Sequence, residues 1–267
     1  MNDWRSYDEV AQVYERVHAP RMIEPARDLL EMCEPPSGGR VLDVGCGTGA
    51  AVALAQEMLG PSGLAVGVDV SLGMLRVGAG ARPGVRLAAA SAIDLPFPDR
   101  TFDVVSASFV LSHFTKYETA LFDMLRVLRP GGRLAVSSWA EGDRDELQTT
   151  WLELVQGVIG QELLADVHAQ AVPWSDRFAD RSAIEETLVD AGLRHVRTER
   201  RQYRWVYALE EYVQGLETWS TGRFVRSMLG DSSWEGFRRQ VRAVFAERFA
   251  DPVNDFRDVW LAVGTKL

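Results

Sequence analysis

The chain has 267 residues, of which 46% are hydrophobic and 25% are charged, and these values are ordinary for a globular protein and argue against wholesale disorder. The formal charge of −9 and the isoelectric point near 5.1 argue against a broad nucleic-acid interface, because such an interface requires a basic surface. The two cysteines, Cys33 and Cys46, lack the number and spacing of a disulfide framework or a zinc site, and no apolar run approaches the roughly 20 residues of a bilayer span.

Strands and helices alternate through the first half of the chain. Residues 1–30 are predicted to be helical, because apolar and aromatic side chains recur there at helical spacing from Tyr7 to Tyr14. After the break at 35–39, the predicted elements are strand 40–44, helix 50–59, strand 64–68, helix 71–79, strand 85–89, strand 102–107, helix 117–128 and strand 133–138. This alternation predicts a mainly parallel sheet that helices cover on both faces.

The second half of the chain is less regular and is rich in aromatic residues. The predicted elements are helices 148–158 and 182–191, strand 196–206, helices within 209–249, and a final strand 258–264. The strand at 196–206 is expected to have a solvated basic edge, formed by Arg197, Arg200, Arg201 and Arg204. Because no repeat, linker or low-complexity run interrupts the chain, residues 1–267 are predicted to form one domain with a helical insertion.

The most informative stretch is a strand-to-helix turn with the sequence VLDVGCGTG, residues 41–49. Its glycines, Gly45, Gly47 and Gly49, can bring backbone close to a ligand because they have no Cβ, and the next helix offers free N–H groups at its N-terminus. Asp69 lies 20 positions beyond Gly49, at the end of the following strand, where a carboxylate can accept both hydroxyls of a ribose.

Two ligand classes and one purely structural role are compatible with this turn. The spacing Gly45-x-Gly47-x-x-Ala50 satisfies the loose dinucleotide fingerprint, so the glycines alone discriminate weakly. A tight turn without any ligand is the structural alternative. Asp43 favours the other ligand class, because a carboxylate two residues before the first glycine would repel a pyrophosphate but attract an ammonium and a sulfonium group.

Further motifs follow the turn in a recognisable order. They are VGVDVS at 66–71, DLPFPDRTFDVV at 94–105 and LRVLRPGGRL at 125–134, and YDEVAQVY at 7–14 precedes them all. Together with the turn at 41–49, the first three resemble the motifs of class I methyltransferases that depend on S-adenosylmethionine (SAM). The opening segment is similar to the N-terminal helix that covers the cofactor in the small-molecule subgroup related to ubiquinone and menaquinone methyltransferases.

The resemblance implies an α/β fold with a doubly wound, Rossmann-like sheet of seven strands, mostly parallel with the last strand antiparallel, and a helical cap. The implied parts are an N-terminal cap helix at 1–30, a cofactor-binding core at 40–138 and substrate-side insertions at 140–255. The cofactor would be SAM, with S-adenosylhomocysteine as the product. The implied cofactor contacts are Asp43, Gly45, Cys46, Gly47 and Gly49 at the methionine portion, Asp69 at the ribose, Val70, Met74, Ser91 and Ala92 around the adenine, Ser108 as a further contact, and Tyr7 and Tyr14 as the cover.

Ser91 departs from the pattern of the family, which usually has an acid at that position to accept from the adenine amino group. A serine hydroxyl can also accept a hydrogen bond, but the bond is uncharged and about half as strong. The sequence therefore predicts weaker adenine recognition at this position.

His113 lies in the segment FVLSHF, residues 109–114, which the resemblance places beside the transferable methyl group. A phenol or alcohol acceptor would need a base, and histidine titrates in a suitable range, so a general base and a structural histidine are both open. His18, His168 and His195 are expected to be ordinary surface or packing residues. The aromatic residues expected to line a cavity for a bulky apolar or aromatic acceptor are Trp139, Trp151, Trp174, Phe178, Trp205, Tyr207, Trp219 and Phe224.

The sequence thus predicts methyl transfer from SAM to an oxygen, nitrogen or carbon atom of a small, apolar or aromatic metabolite. Two alternatives stay open: an enzyme of secondary metabolism that uses the same fold for a non-methylating reaction such as cyclisation, and a non-catalytic SAM-binding regulator. The N-terminus has no apolar signal core, so the cytoplasm is the expected compartment. The expected partner is a small molecule, without nucleic acid, membrane or metal, and a homodimer is one option for the oligomeric state.

Overall fold

A seven-stranded sheet runs through the computed structural model, which describes residues 4–142 and 145–267. The strands are β1 (Arg40–Val44), β2 (Leu64–Asp69), β3 (Arg86–Ala89), β4 (Phe102–Ser108), β5 (Leu128–Trp139), β6 (Leu193–Tyr207) and β7 (Val253–Lys266). Their order across the sheet is β3-β2-β1-β4-β5-β7-β6. Strands β1 to β5 are parallel, and the last strand, β7, is antiparallel to both β5 and β6. The predicted doubly wound sheet with an antiparallel last strand is therefore confirmed.

Twelve α-helices accompany the sheet in the described part of the chain. They are α1 (Ala11–Val17), α2 (Ala19–Cys33), α3 (Ala50–Leu59), α4 (Leu72–Ala81), α5 (Tyr117–Val127), α6 (Glu146–Ile159), α7 (Gln161–Ala171), α8 (Ser175–Ala179), α9 (Arg181–Asp190), α10 (Leu209–Leu216), α11 (Ser220–Met228) and α12 (Asp231–Arg248). Two short 3-10 turns, Asp8–Val10 and Leu111–His113, complete the regular structure. None of these helices has the length and apolar character that a bilayer span requires.

Apolar cores lie on both faces of the sheet. Leu29, Val41 and Leu59 are buried on the face that α2 and α3 cover. Leu42 and Met124 are buried on the opposite face, against α5 and the helices α8 and α9. Strands β1 and β4 are buried at nearly every position rather than at alternate positions, because both of their faces are covered.

The strand order reverses between β1 and β4, which positions the candidate site. These two strands are parallel neighbours at the centre of the sheet, but their crossovers run to opposite sides. In sheets of this kind, ligands bind in the crevice beyond the carboxyl ends of the strands at that reversal. The segments that follow β1, β2 and β4 all lead into this crevice.

Residues 1–30 differ from their prediction, because the chain forms two helices there with different partners. α1 contacts α4 and α10, whereas α2 packs against α3 and β5 on one face of the sheet. Pro20 lies in the first turn of α2, where its missing N–H leaves no intrahelical bond unmade. We use the term cap for residues 4–18 and 209–228, so α2 lies outside it.

The second half also contributes more to the sheet than the sequence indicated. α8 and α9 pack against β5, β6 and β7. β6 and β7 form a ribbon that is longer at both ends than the predicted strands 196–206 and 258–264. The expected basic edge is present on β6, where Arg200 pairs with Asp258 at 2.6 Å and Arg201 pairs with Asp28 at 2.8 Å. The first of these pairs joins β6 to β7, and the second joins β6 to α2.

Candidate active site

The turn after β1 has the conformation that its glycines permit. Gly45 and Gly47 have φ angles of +74° and +55°, in the left-handed region that side chains with a Cβ rarely adopt. A Cβ on Gly45 would lie 2.6 Å from Val110 Cγ1, so the turn also packs closely against the segment after β4. The N–H groups of Gly45 and Cys46 both donate to the Val68 carbonyl, at 2.8 and 3.0 Å. The backbone of the turn is thus held rigidly at the end of β2.

Asp69 links this turn to the next segment of the site. Its Oδ2 accepts from the Gly47 N–H and its Oδ1 accepts from the Ser71 N–H, both at 2.8 Å. Burial raises the pKa of its carboxyl group, while these backbone bonds act in the opposite direction. A carboxylate offers about four acceptor positions, so two remain for the hydroxyls of a ligand. The structure therefore places Asp69 where the sequence analysis expected a ribose-binding acid.

Asp43 is a buried carboxylate whose charge no cationic side chain balances. Its Oδ1 accepts from the Ser106 hydroxyl at 2.7 Å, and no Lys or Arg of the described residues forms an ion pair with it. Burial raises its pKa to about 7, and the negative charge of Asp69 contributes in the same direction. A buried carboxylate of this kind is stabilised by a cationic ligand. Sequence reasoning missed Ser106, although Asp43 and Ser106 are paired in the register of β1 and β4.

The residues assigned to adenine follow β2 and β3, which are adjacent and parallel. Val70 is 73% exposed, whereas Met74 and Ala92 are buried. The Ser91 side chain lies beside them on the exposed side, and its hydroxyl accepts from the Ile93 N–H at 3.4 Å. The four predicted residues therefore share one edge of the crevice, with Ser91 available to a ligand.

The segment after β4 contains Ser108 and His113. Ser108 is the last residue of β4 and is half-buried, and Phe109 after it has a φ of +57°, which turns the chain sharply toward the 3-10 turn with His113. Burial, together with the positive charge of Arg223, lowers the pKa of His113 from 6.5 to about 4. The imidazole is consequently neutral at physiological pH, contrary to the expectation that it titrates near its ordinary value.

The cap covers the glycine turn with aromatic side chains. The Tyr14 ring is 3.8 Å from the position that a Cβ on Gly47 would take, and burial raises the pKa of its hydroxyl. The Tyr7 ring lies between two others, with centroids 6.3 Å from Tyr14 and 6.3 Å from His113. Tyr7, Tyr14 and His113 are therefore brought together over the turn, although only Tyr14 lies on α1 itself.

Asp8 attaches the cap to the edge of the cofactor crevice. Its Oδ1 accepts from the Ser71 hydroxyl and from the Gly73 N–H, both at 2.7 Å. A Cβ on Gly73 would lie 2.5 Å from the Asp8 Cα, so this contact depends on glycine. Ser71 also donates its N–H to Asp69. The same serine thus connects the cap with the predicted ribose-binding acid.

Three further buried residues of the site gave no signal in the sequence. His18 contacts Thr218 Oγ1 at 2.8 Å through Nε2, and its ring centroid is 5.5 Å from that of Tyr14. Burial lowers its pKa to about 4, so it is a neutral member of the cap, while His168 and His195 are exposed as expected. The other two are Arg223 of α11, which is 6% exposed, and Arg257 of β7, whose side chain is 19% exposed.

The aromatic residues of the second half divide between the core and the site. Trp151 and Phe178 are fully buried in the two cores, so the expectation that they line a substrate cavity is wrong. Trp139, at the carboxyl end of β5, is 42% exposed and lies against Phe109 with ring centroids 4.4 Å apart. The Trp205 ring is 6.0 Å from that of Trp139. Phe109 and Trp139 thus form an aromatic pair at the start of the segment that contains His113.

Metal chemistry has no support in the described residues, which contain no group of three or more His, Cys, Asp or Glu side chains suited to a metal ion. Cys33 and Cys46 are both buried free thiols. Burial raises the pKa of each thiol. The charged groups of the site are therefore its carboxylates and guanidinium groups.

Sequence comparison shows that this chain is similar to known methyltransferases. A family model described as a methyltransferase domain matches residues 42–136. The ubiquinone/menaquinone biosynthesis C-methyltransferase UbiE of Ectopseudomonas mendocina is 33% identical over 183 residues, which cover 64% of this chain and 71% of that protein. The namesake from Stutzerimonas stutzeri is 40% identical over 121 residues, and there the chain spans about half of its relative's length, 47%.

Solved structures share the fold at lower sequence identity. Phosphoethanolamine N-methyltransferase 2 of Haemonchus contortus, in complex with phosphomonomethylethanolamine and S-adenosylhomocysteine, superposes with a TM-score of 0.60 and 17% identity over all of this chain and 61% of that one. The [4+2]-cyclase SpnF superposes with a TM-score of 0.54 and 20% identity over 92% and 82% of the two chains. At such identities the likeness shows the fold alone, and it spans both methylating and non-methylating proteins.

Proposed function

Since this chain belongs to the class I SAM-dependent methyltransferases, in the group related to the ubiquinone and menaquinone C-methyltransferases, we propose that it methylates a quinol-type small molecule at a ring carbon or oxygen. Membership in the family confirms the resemblance and the cofactor class inferred from the motifs at 41–49 and 66–71. The acceptor and its reacting atom belong to the proposal, and the named relatives give no support to cyclisation.

The observation that carries the proposal is the unbalanced carboxylate of Asp43 beneath the cap. SAM would bring an ammonium and a sulfonium group to this crevice and a methyl group that is already electrophilic. Asp43 would attract the positive charge, and the backbone of Gly45, Cys46, Gly47 and Gly49 would contact the methionine portion. The donor set thus fits the cofactor, because Asp43, a fully buried acid that no Lys or Arg of the described residues neutralises, lies beside the glycine turn that would hold the cationic methionine portion.

The remaining residues would orient the cofactor and the acceptor. Asp69 would accept from the ribose hydroxyls with the two positions that the backbone leaves open. The adenine would lie along Val70, Met74, Ser91 and Ala92. Tyr7 and Tyr14 would exclude water above the turn, and Ser108 would border the cofactor where β4 ends. Alignment of the reacting atoms in such an enclosed site supplies much of the catalysis of methyl transfer.

His113 would act as the general base when the acceptor carries a hydroxyl group. Its low pKa keeps it neutral and able to accept a proton at physiological pH. Phe109 and Trp139 would hold an aromatic acceptor by stacking. The acceptor would then be a reduced quinone, whose ionised ring is nucleophilic at both oxygen and carbon.

A labelled-methyl experiment tests this function directly. The protein is incubated with SAM labelled in the methyl group and with quinols such as 1,4-dihydroxynaphthalene under reducing conditions. We expect label in the extracted acceptor and an equal amount of S-adenosylhomocysteine. Conversion of the acceptor without label transfer would instead support the non-methylating alternative and overturn the proposal.

A further inference from the structure

We propose that the guanidinium group of Arg223 binds an anionic oxygen of the methyl acceptor, and this inference rests on the proposed function. The oxygen is either a phenolate formed on the acceptor ring or a carboxylate that the ring carries. Arg223 would thereby select acceptors that bring negative charge to the cap side of the site.

Arg223 is a buried cation that lacks an acidic partner. It is 6% exposed, its Nε donates to the Trp4 carbonyl at 2.8 Å, and its Nη1 donates to the Thr218 carbonyl. No Asp or Glu of the described residues forms an ion pair with it. Burial of a charge is costly unless an opposite charge compensates it, and two neutral carbonyls do so only in part.

Arg257 shows what a compensated arginine looks like in the same protein. Its side chain is 19% exposed, its Nε donates to Asp255 Oδ1 at 2.8 Å, and the Asp255 side chain is buried. The acid beside it accounts for its presence in the interior. Among the residues that the structure describes, no acid pairs with Arg223 in this way, so its positive charge can serve a ligand.

Arg223 also lies at the position where an acceptor would meet the proposed base. Its Cζ is 4.0 Å from the centroid of the Tyr7 ring, and that ring borders both Tyr14 and His113. Its charge reaches the imidazole, because it contributes to the low pKa of His113. The guanidinium group and the base therefore belong to one enclosure, opposite the acids at the glycine turn.

These groups account for the proton, the methyl group and the electron pair of the proposed step. Neutral His113 takes the proton from an acceptor hydroxyl, and Arg223 stabilises the oxygen anion that results. The acceptor carbon or oxygen then forms its bond to the methyl group as the sulfur–methyl bond breaks, and that electron pair stays on sulfur. When carbon is methylated, its ring proton leaves to water and the ring becomes aromatic again.

Matched pairs of ligands measure whether Arg223 prefers an anion. The carboxylate arm compares 2-naphthoate with its neutral isostere 2-naphthamide, and the enolate arm compares 2-hydroxy-1,4-naphthoquinone, which is ionised at pH 7, with its methyl ether. Dissociation constants are measured calorimetrically on protein saturated with S-adenosylhomocysteine. We expect wild type to prefer the anion in at least one arm by about ten- to a hundredfold, the range of charge-assisted hydrogen bonds. The arm that shows the preference identifies the source of the oxygen.

Three variants separate this role from a structural one. Arg223→Gln should bring the ratio of the two dissociation constants close to one, Arg223→Lys should keep part of the preference, and Arg226→Gln, an exposed arginine on the same helix, should retain all of it. A merely structural Arg223 would weaken both members of a pair equally and leave their ratio unchanged. Such an unchanged ratio, or a wild type without anion preference in either arm, overturns the inference. If the proposed function is wrong, the wild-type protein will transfer no label in the labelled-methyl experiment. That result is independent of the ratio of dissociation constants.

Discussion

The two sides of the site carry opposite uncompensated charge. On the core side, Asp43 and Asp69 are buried carboxylates that no Lys or Arg of the described residues neutralises, and burial raises the pKa of both. On the cap side, Arg223 is a buried cation that pairs with no acid of the described residues, and His18 and His113 are half-buried imidazoles that are neutral at physiological pH. This difference indicates that each side is completed by a ligand of the opposite charge. The comparison fits transfer of a group from a cationic donor to an anionic acceptor.

The two sides also differ in how the chain builds them. The core side comes from one turn and the ends of neighbouring strands, within residues 41–106. The cap side joins residues that are remote in sequence: His18 to Thr218, 200 positions apart, and Trp4 to Arg223, 219 positions apart.

The largest effect on activity should come from substitution of His113 on the cap side. His113→Ala should lower turnover by about 10²–10⁴-fold, the usual contribution of a general base, with little change in cofactor affinity or thermal stability. Because the pKa of His113 is about 4, the wild-type rate should be flat between about pH 6 and 8, with an acid limb only near its pKa.

Steady-state rates at saturating SAM measure this, and His168→Ala, an exposed histidine, is the control. If folded His113→Ala protein keeps wild-type turnover, His113 is not the general base, and the cap side only binds ligands. A rate that rises through about pH 6.5 would show that the histidine is not neutral as the structure indicates.

On the core side, Asp69→Ala should raise the dissociation constant of SAM at least tenfold. Each charge-assisted bond that is lost contributes about 1.5–3 kcal/mol. The substitution also removes the acceptor for the Gly47 and Ser71 N–H groups, so the free protein should lose stability as well. Calorimetric titration of the folded variant checks the affinity, with the exposed Asp190→Ala as the control. Unchanged affinity would remove Asp69 from the ribose contact.

Asp43 should make cofactor binding depend on pH. Its pKa of about 7 means that it is largely protonated at pH 6 and largely ionised at pH 7.5, so SAM affinity should rise about five- to tenfold between these values. Asp43→Asn should abolish this dependence and bind SAM more weakly at the higher pH. A wild-type affinity that is the same at both pH values would contradict the proposed role.

The same residue predicts an opposite effect on the free protein. Since its folded pKa is raised from 3.8 to about 7, the cost of burying the carboxylate is absent below about pH 4 and complete above about pH 7. Asp43→Asn should therefore increase the free energy of unfolding at pH 8, by as much as about 4 kcal/mol, and change it little at pH 4. Denaturant titration without ligand at the two pH values measures this difference.

The smallest effect concerns the attachment of the cap to the core. Asp8→Ala removes the acceptor for Ser71 Oγ and the Gly73 N–H, so tryptic cleavage at Arg16 should accelerate by about two- to fivefold. Asp8→Asn keeps an acceptor oxygen and should change the rate less. SAM should slow cleavage in all of these proteins. If neither substitution changes the cleavage rate, the cap is held by its contacts with α10 instead.

The sequence predicted the core side well, because its determinants are local. Gly45 and Gly47 have positive φ angles, which glycine adopts more readily than other residues, and Asp69 ends the strand that follows this turn and its helix, so the motif in the sequence coincides with its position in the fold. The alternation of strands and helices between residues 40 and 138 predicted a sheet covered on both faces before any contact was known. Ser106 was missed because nothing in the sequence marks it as a site residue. Its role depends on its pairing with Asp43 of the neighbouring strand.

What only the tertiary structure decided is which polar residues lose their water. Arg223 resembles any other arginine in the sequence, and His18 resembles His168, until helices from both ends of the chain enclose them. The same holds for the protonation state of His113, because burial rather than residue type lowers its pKa. Turn geometry and apolar periodicity are properties of short segments, whereas desolvation depends on everything that packs around a group. The sequence by itself therefore determined the fold and the predicted cofactor turn, and the folded chain determined the charge and protonation of the cap side.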